Sequence, residues 1–179
     1  LYLGRNATIA KGARGETGVR DIGMPASVVS DLGPRLHAVE GRERLLDSID
    51  LLPAAPLESP PPSDNTRLLR KTDDEYETDP FEDEVSLLIA SPRGTLLVTG
   101  CSHRGIVNIY RQAGDVSIIV GGLHLLREEP AEVRRVAKAL GGVDELWVGH
   151  CTGKDAIRIL EQEFPGRLVA IPAGTRLPL

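Results

Sequence analysis

The chain has 179 residues, which suits one domain or a large part of one. It carries 21 Lys and Arg against 26 Asp and Glu, and its rings are three Tyr, two Phe and one Trp. Hydrophobic residues at 41% allow a largely aliphatic core and exclude a disordered composition; acidity with so few rings excludes a basic, stacking nucleic-acid surface. No apolar run approaches the roughly 18 residues that span a bilayer, and the start does not read as a signal peptide. Residue 1 is Leu and the single Met is Met24, so the sequence reads as a processed product or a piece of a longer chain.

Residues 1–50 form a poorly defined, Gly-rich segment. Pro25 precedes a short helix start at 27–32, 36–39 reads as a short strand, and 42–49 as a helical turn or two. Residues 51–84 read as a long irregular connection. Five of the 13 prolines lie between Pro53 and Pro62, and consecutive prolines block helix and central strand alike. The stretch 72–84 then holds eight acidic side chains and no basic one, which predicts a solvated loop. The acidity of the chain is therefore local.

Residues 85–179 are more regular. Two strands, 85–90 and 95–99, flank a Pro92-Arg93-Gly94 turn and predict a hairpin. A short helix follows at 105–112 and a strand at 116–120. Pro130 suits the first turn of a helix that continues through Val133, Val136, Ala137 and Leu140 and stops at Gly141-Gly142. A strand at 145–148, a helix at 154–164 and a strand at 167–171 complete the alternation, which predicts an α/β fold with helices flanking a sheet.

Three apolar strands each run into a small-residue turn with a histidine: His103, His124 and His150. The carboxyl ends of strands in open α/β folds form the rim where ligands bind. Imidazoles gathered there suit a metal, although each alone also reads as an ordinary structural residue. Cys101 and Cys151 sit beside histidines. That placement suggests chemistry or reduced thiols rather than a disulfide framework, and hence a cytoplasmic setting. Arg104 and Lys154 stand where two loops enter helices, a placement that suits an anionic or phosphorylated substrate but also fits ordinary surface charge. His37 has no such context and reads as surface.

Four runs carry a resemblance. They are Asp83-Glu84-x-Ser86-Leu87, Gly100-Cys101-Ser102-His103-x-Gly105-Ile106-Val107-Asn108, Gly121-Gly122-x-His124-Leu125 and Gly149-His150-Cys151-Thr152-Gly153. In this order the chain resembles the metallo-β-lactamase superfamily. Within it, the branch is that of the 7,8-dihydropterin-6-yl-methyl-4-(β-D-ribofuranosyl)aminobenzene 5′-phosphate synthases. The resemblance covers residues 80–179, with a weaker match at Arg20-Asp21-Ile22-Gly23-Met24-Pro25. It implies an αββα sandwich, of which this chain is the C-terminal half, a mixed sheet flanked by helices.

The resemblance also implies a metal-dependent hydrolase or synthase acting on a small molecule. Two divalent ions per complete domain are implied, zinc first, with iron or manganese as alternatives. His150 and His103 are the implied metal ligands. Asp83 and Glu84 are the candidate catalytic carboxylates, as ligands, as holders of a histidine or as a base; the other reading is membership of the acidic loop. Cys101, Ser102, Arg104, Asn108, His124, Cys151, Thr152, Gly153 and Lys154 would support the ligands or touch substrate. Cys101 competes with His103 for a ligand position.

The family's His-x-His-x-Asp-His motif is absent from the sequence. The expectation is a fragment with about half a site, inactive alone and with weak or no metal binding, and with an exposed apolar sheet face or edge that a second copy could cover. The competing readings are a non-catalytic interaction module that kept the fold without the metals, and a thiol enzyme using Cys101 or Cys151. Neither nucleic acid nor membrane is expected as a partner.

Overall fold

The computed structural model describes residues 1–73 and 75–176. Asp74 of the acidic stretch and the last three residues lie outside that description. The described elements run β1 (Tyr2–Gly4), β2 (Lys11–Gly15), β3 (Gly18–Asp21), α1 (Ala26–Leu32), β4 (His37–Val39), β5 (Glu43–Leu46) and β6 (Ile49–Leu52). They continue with β7 (Leu68–Thr72), β8 (Glu75–Thr78), β9 (Ser86–Ser91), β10 (Gly94–Val98), α2 (Ile106–Ala113) and β11 (Ile118–Gly121). Last come α3 (Pro130–Ala139), β12 (Glu145–Val148), α4 (Lys154–Glu163) and β13 (Leu168–Ala170). No helix among the described residues is long and apolar enough to cross a membrane.

A mixed seven-stranded sheet, ordered β13-β12-β11-β10-β9-β6-β5, organises the chain. Strands β10 to β13 pair parallel, while β10-β9, β9-β6 and β6-β5 pair antiparallel. Parallel neighbours need crossovers, and α2, α3 and α4 supply them. Side chains alternate between the two faces along each strand. Leu97, Ile119, Leu146 and Val148 pack with Ile106, Ile109, Val133, Val136 and Leu160 of the helices. Leu96, Ile118, Val120 and Trp147 gather in a second cluster, joined by Ile89, Val98 and Ile171. Every described member of that second cluster lies on a strand or at a strand end. The sheet is thus apolar on both sides, the signature of a layer meant to be covered twice.

The β9-β10 hairpin closes as predicted. The Arg93 amide donates to Ser91 Oγ at 3.1 Å, and that hydroxyl donates to the Gly94 carbonyl at 2.9 Å. Gly94 has φ +104°, and a Cβ there would stand 2.2 Å from Ser117 Oγ, so only glycine fits the turn. Strand β11 begins at Ile118, two residues later than expected.

The first half departs further from expectation. Residues 42–49 form no helix; β5 and β6 make a hairpin there, and β6 joins the sheet beside β9. Glu, Arg and Leu favour helix locally, but the pairing partner and Asp50 decide otherwise. Asp50 accepts from Arg42 Nη2 at 2.7 Å and from Arg44 Nε, closing the hairpin with two guanidinium contacts. The connection 51–84 is not irregular throughout. It completes β6 and then supplies β7 and β8, which form an antiparallel sheet β3-β2-β7-β8 with the front of the chain. The acidic stretch is solvated only in part. Every residue of β8 is exposed, whereas Asp79 is 5% exposed and takes Lys11 Nζ at 2.6 Å. His37 lies exposed on β4, where Nε2 contacts Glu43 at 2.8 Å, in line with a surface role.

Candidate metal centre

The three histidine turns meet at one end of the parallel strands. The loop after β10 carries Cys101, Ser102, His103 and Arg104, the loop after β11 carries His124, and the turn after β12 carries His150, Cys151 and Thr152. Backbone bonds lace them: Gly122 N–H to the Gly100 carbonyl at 2.8 Å, Gly149 N–H to Gly121 at 3.2 Å, and Leu126 N–H to Cys151 at 3.1 Å. Two wholly buried hydroxyls add to this. Ser102 Oγ donates to the Gly122 carbonyl at 2.7 Å, and Thr152 Oγ1 accepts the Leu123 amide at 3.1 Å.

Six described non-glycine residues have positive φ, and four of them surround this junction: Phe81 (+54°), Ser102 (+63°), His124 (+49°) and His150 (+51°). The left-handed region costs a residue with a Cβ about 1 kcal/mol or more, and such strain collects at functional sites. It aims the loop side chains toward one another.

The result is a donor cluster. One side-chain donor atom each from Cys101, His150 and Cys151 lies within 4.8 Å of the others. His150 is exposed and both thiols are half-buried. The Cys151 thiol, and then His103, pull the Cys101 pKa down against the effect of burial. Cys101 in turn pushes Cys151 up, with burial adding to it. The two thiols thus shift each other's ionisation. Of the two implied ligands, His150 joins this cluster directly. His103 stands beside it, near enough to contribute to the lowering of the Cys101 pKa.

His103 is held on three sides. Phe81 stacks on its ring at 4.1 Å between centroids, and His124 lies across it at 4.2 Å. Asn65 Nδ2 donates to the His103 carbonyl at 2.7 Å, which turns Asn65 Oδ1 toward Nδ1 at 3.0 Å. Nδ1 therefore donates to Asn65, and Nε2 is the ring nitrogen left for another partner. His124 is the least satisfied group in the region. Both of its ring nitrogens are buried without a hydrogen-bond partner, and burial, followed by His103, lowers its pKa.

The two candidate carboxylates have other partners. Asp83 Oδ1 accepts from Lys11 Nζ at 2.6 Å. Glu84 accepts two backbone amides, His103 at 2.6 Å and Arg104 at 2.8 Å, and so fixes the loop that presents His103. Arg104 reaches away from the cluster to the carbonyls of Ala55 and Pro80, at 2.7 and 2.8 Å. Asn108, 2% exposed, exchanges hydrogen bonds with the Ser59 backbone and ties down the proline-rich segment. Gly153 (φ +80°) opens α4, and Lys154 lies exposed at its first position. Asn65 and Phe81 escaped sequence reading because they lie in the stretch that looked irregular. The one available signal was a lone Phe inside an acidic run.

Glu84 gives a direct test. Glu84→Ala strips the acceptors from two loop amides and is expected to cost about 2 kcal/mol, read as a lower denaturant midpoint at constant m. Burial raises Glu84 above its ordinary 4.5, opposed by the Arg104 and His103 amides. The folded chain thus keeps this proton longer than the unfolded chain does. Its contribution to stability is full below pH 4.5 and is lost as pH rises through the folded value. Glu84→Gln is expected to remove that slope from the pH–stability curve.

Fold and donor set together define the class: the chain has the metallo-β-lactamase fold and gathers sulfur and imidazole donors suited to a divalent metal. Comparison with known proteins agrees. A metal-dependent hydrolase of the β-lactamase superfamily superposes with a TM-score of 0.83 at 29% identity, over 99% of this chain and 70% of that one. The 7,8-dihydropterin-6-methyl-4-(β-D-ribofuranosyl)-aminobenzene-5′-phosphate synthase of Methanocaldococcus jannaschii is 34% identical over 104 residues, 54% of this chain. An uncharacterised protein of the same organism is 32% identical over 72 residues, 37% of this chain. The matches span 35% and 28% of those two proteins' lengths. No family model matches the chain. The resemblance read from the four motifs is supported, including its synthase-like branch.

Proposed function

We propose that the chain supplies one side of the metal centre of a metal-dependent hydrolase, or of a synthase similar to the methanogen protein. The carrying observation is the convergence of Cys101, His150 and Cys151 within 4.8 Å. Two thiols and an imidazole suit zinc, with iron and manganese as poorer fits. The unpartnered nitrogens of His124 mark a polar environment that the protein alone does not satisfy. A metal here would supply Lewis-acid activation of water or of a leaving-group oxygen.

The chain's own residues do the rest. Cys101, Cys151 and His150 hold the ion. His103 presents Nε2 from a ring locked by Asn65 and Phe81. Glu84 positions that loop, and Asp83 belongs to the Lys11 ion pair. Cavities of about 530 Å³ beside His150 and about 380 Å³ beside His103 flank the cluster and can take a small molecule. Arg104 is committed to Ala55 and Pro80, so Lys154, which lines the larger cavity, is the basic residue left to meet an anionic or phosphorylated substrate. Two free thiols suit a reducing, cytoplasmic setting.

The remaining ligands come from a His-x-His-x-Asp-His segment outside these 179 residues. The coding sequence upstream of Leu1 tests this cheaply. The motif in frame there, with phosphate-ester hydrolysis by the whole protein that chelation abolishes, is the expected result. Its absence, with no metal in the whole protein, would favour the interaction-module reading.

A further inference from the structure

Cys101 and Cys151 are 50 positions apart in sequence, yet the fold delivers both sulfurs to one point. Cys151 Sγ lies 3.5 Å from the Cys101 carbonyl oxygen, and the two sulfurs lie within 4.8 Å of each other. Gly122 makes room for this, since a Cβ there would stand 2.5 Å from Cys151 Sγ. The chain contains no other cysteine, and both thiols are half-buried rather than sealed in the core. A small oxidant can reach Cys101, and neither sulfur has another thiol within the chain to pair with.

We propose that Cys101 and Cys151 form a reversible disulfide when the protein meets a hydroperoxide. The Cys101 sulfur attacks one peroxide oxygen. The O–O bond breaks, the distal oxygen leaves as hydroxide and takes up the Cys101 thiol proton to become water, and Cys101 becomes a sulfenic acid. The Cys151 sulfur then attacks the Cys101 sulfur. The S–S bond forms, the S–O bond breaks, and hydroxide leaves with the Cys151 proton as a second water. Two thiols and one hydrogen peroxide thus give one disulfide and two waters. A small dithiol reverses the step by exchange. Side-chain rotation must bring the sulfurs to about 2.05 Å, and the laced loops hold both cysteines ready for it.

Oxidation would withdraw both sulfur donors from the proposed metal centre. That consequence rests on the metal reading above; the disulfide itself does not. The full chain, reduced and stripped of metal, is treated with one equivalent of hydrogen peroxide, folded and in urea. Expected for the folded chain is a monomer lighter by two hydrogens, with both thiols gone and one peptide pair linking Cys101 to Cys151. It should form at least about tenfold faster than in urea, because folding supplies the effective concentration. Dithiothreitol should restore both thiols, and Cys151→Ser should stop at a sulfenic acid that dimedone traps. Retained thiols, sulfinic or sulfonic acid on one cysteine, a disulfide-linked dimer, or equal rates in urea would overturn the proposal. A parallel arm adds Zn²⁺ before peroxide. If zinc slows disulfide formation, the metal reading gains support. If the disulfide forms equally fast with zinc present, the metal reading fails and the disulfide stands.

Discussion

Cys101→Ser and His150→Ala are each expected to weaken Zn²⁺ retention by about 100-fold or more, with the stability of the metal-free chain almost unchanged. Each removes one of three donors, and the loss exceeds the 10–100-fold typical for a residue that only orients a ligand. His150 is exposed, so its truncation leaves no cavity in the core, and a surface change of this kind stays within about 0.5 kcal/mol. Asn65→Leu separates ligation from orientation. It leaves every donor in place but frees the His103 ring, and a loss of about tenfold is expected. Competition against a chromogenic chelator measures all three. Equal affinities across wild type and the two donor variants would show that the cluster does not hold the ion.

Gly121→Ala is expected to cost about 3 kcal/mol or more and to lower the thermal midpoint by about 10 °C. Gly121 ends β11 at φ +144°, a backbone conformation closed to a residue with a side chain. A Cβ there would lie 2.4 Å from the Thr99 backbone carbonyl oxygen and 2.5 Å from its hydroxyl. Thr99 directly follows β10 and leads into the Cys101 loop, so relieving the clash shifts the donors as well as the sheet. Gly41 is the control: nothing lies within 4 Å of a Cβ built there. Gly41→Ala should change the midpoint by no more than a degree or two. Scanning calorimetry of the two variants decides it, and equal midpoints would mean that the strand-end junction yields easily.

Strands β9 to β12 and helices α2 to α4 were legible because their signals are local. Pro130 opens α3, Gly94 forces the hairpin turn, and apolar spacing marks each helix face. Each histidine turn was legible because a Gly-rich end of an apolar strand has few other uses. Strands β5 to β8 were not legible. β7 pairs with β2 more than fifty residues earlier, and no window of sequence contains that partner. Arg42, Arg44 and Asp50 look helical in isolation and become a hairpin only when β9 receives β6. The acidic stretch misled for a related reason: repulsion among its charges is real for β8, but Lys11 arrives from the far end of the chain to bury Asp79. The candidate site followed the same division. His103 and His150 were named from their motifs. Glu84 was named too, although its partners are loop amides. Asn65 and Phe81, which lock His103, lie in the segment whose structure depends on distant strands.

Cobalt substitution addresses the central claim most directly, because it reads sulfur ligation without any assumption about substrate. Co²⁺ titrated into the reduced chain should bind at no more than one ion per chain, more weakly than a complete four-ligand site, and give an intense sulfur-to-cobalt charge-transfer band. The band should weaken in Cys101→Ser and in His150→Ala, and vanish when Cys101 and Cys151 are both replaced by Ser. A saturated chain with no such band, or two tightly held ions per chain, would contradict a one-sided centre built from Cys101, His150 and Cys151.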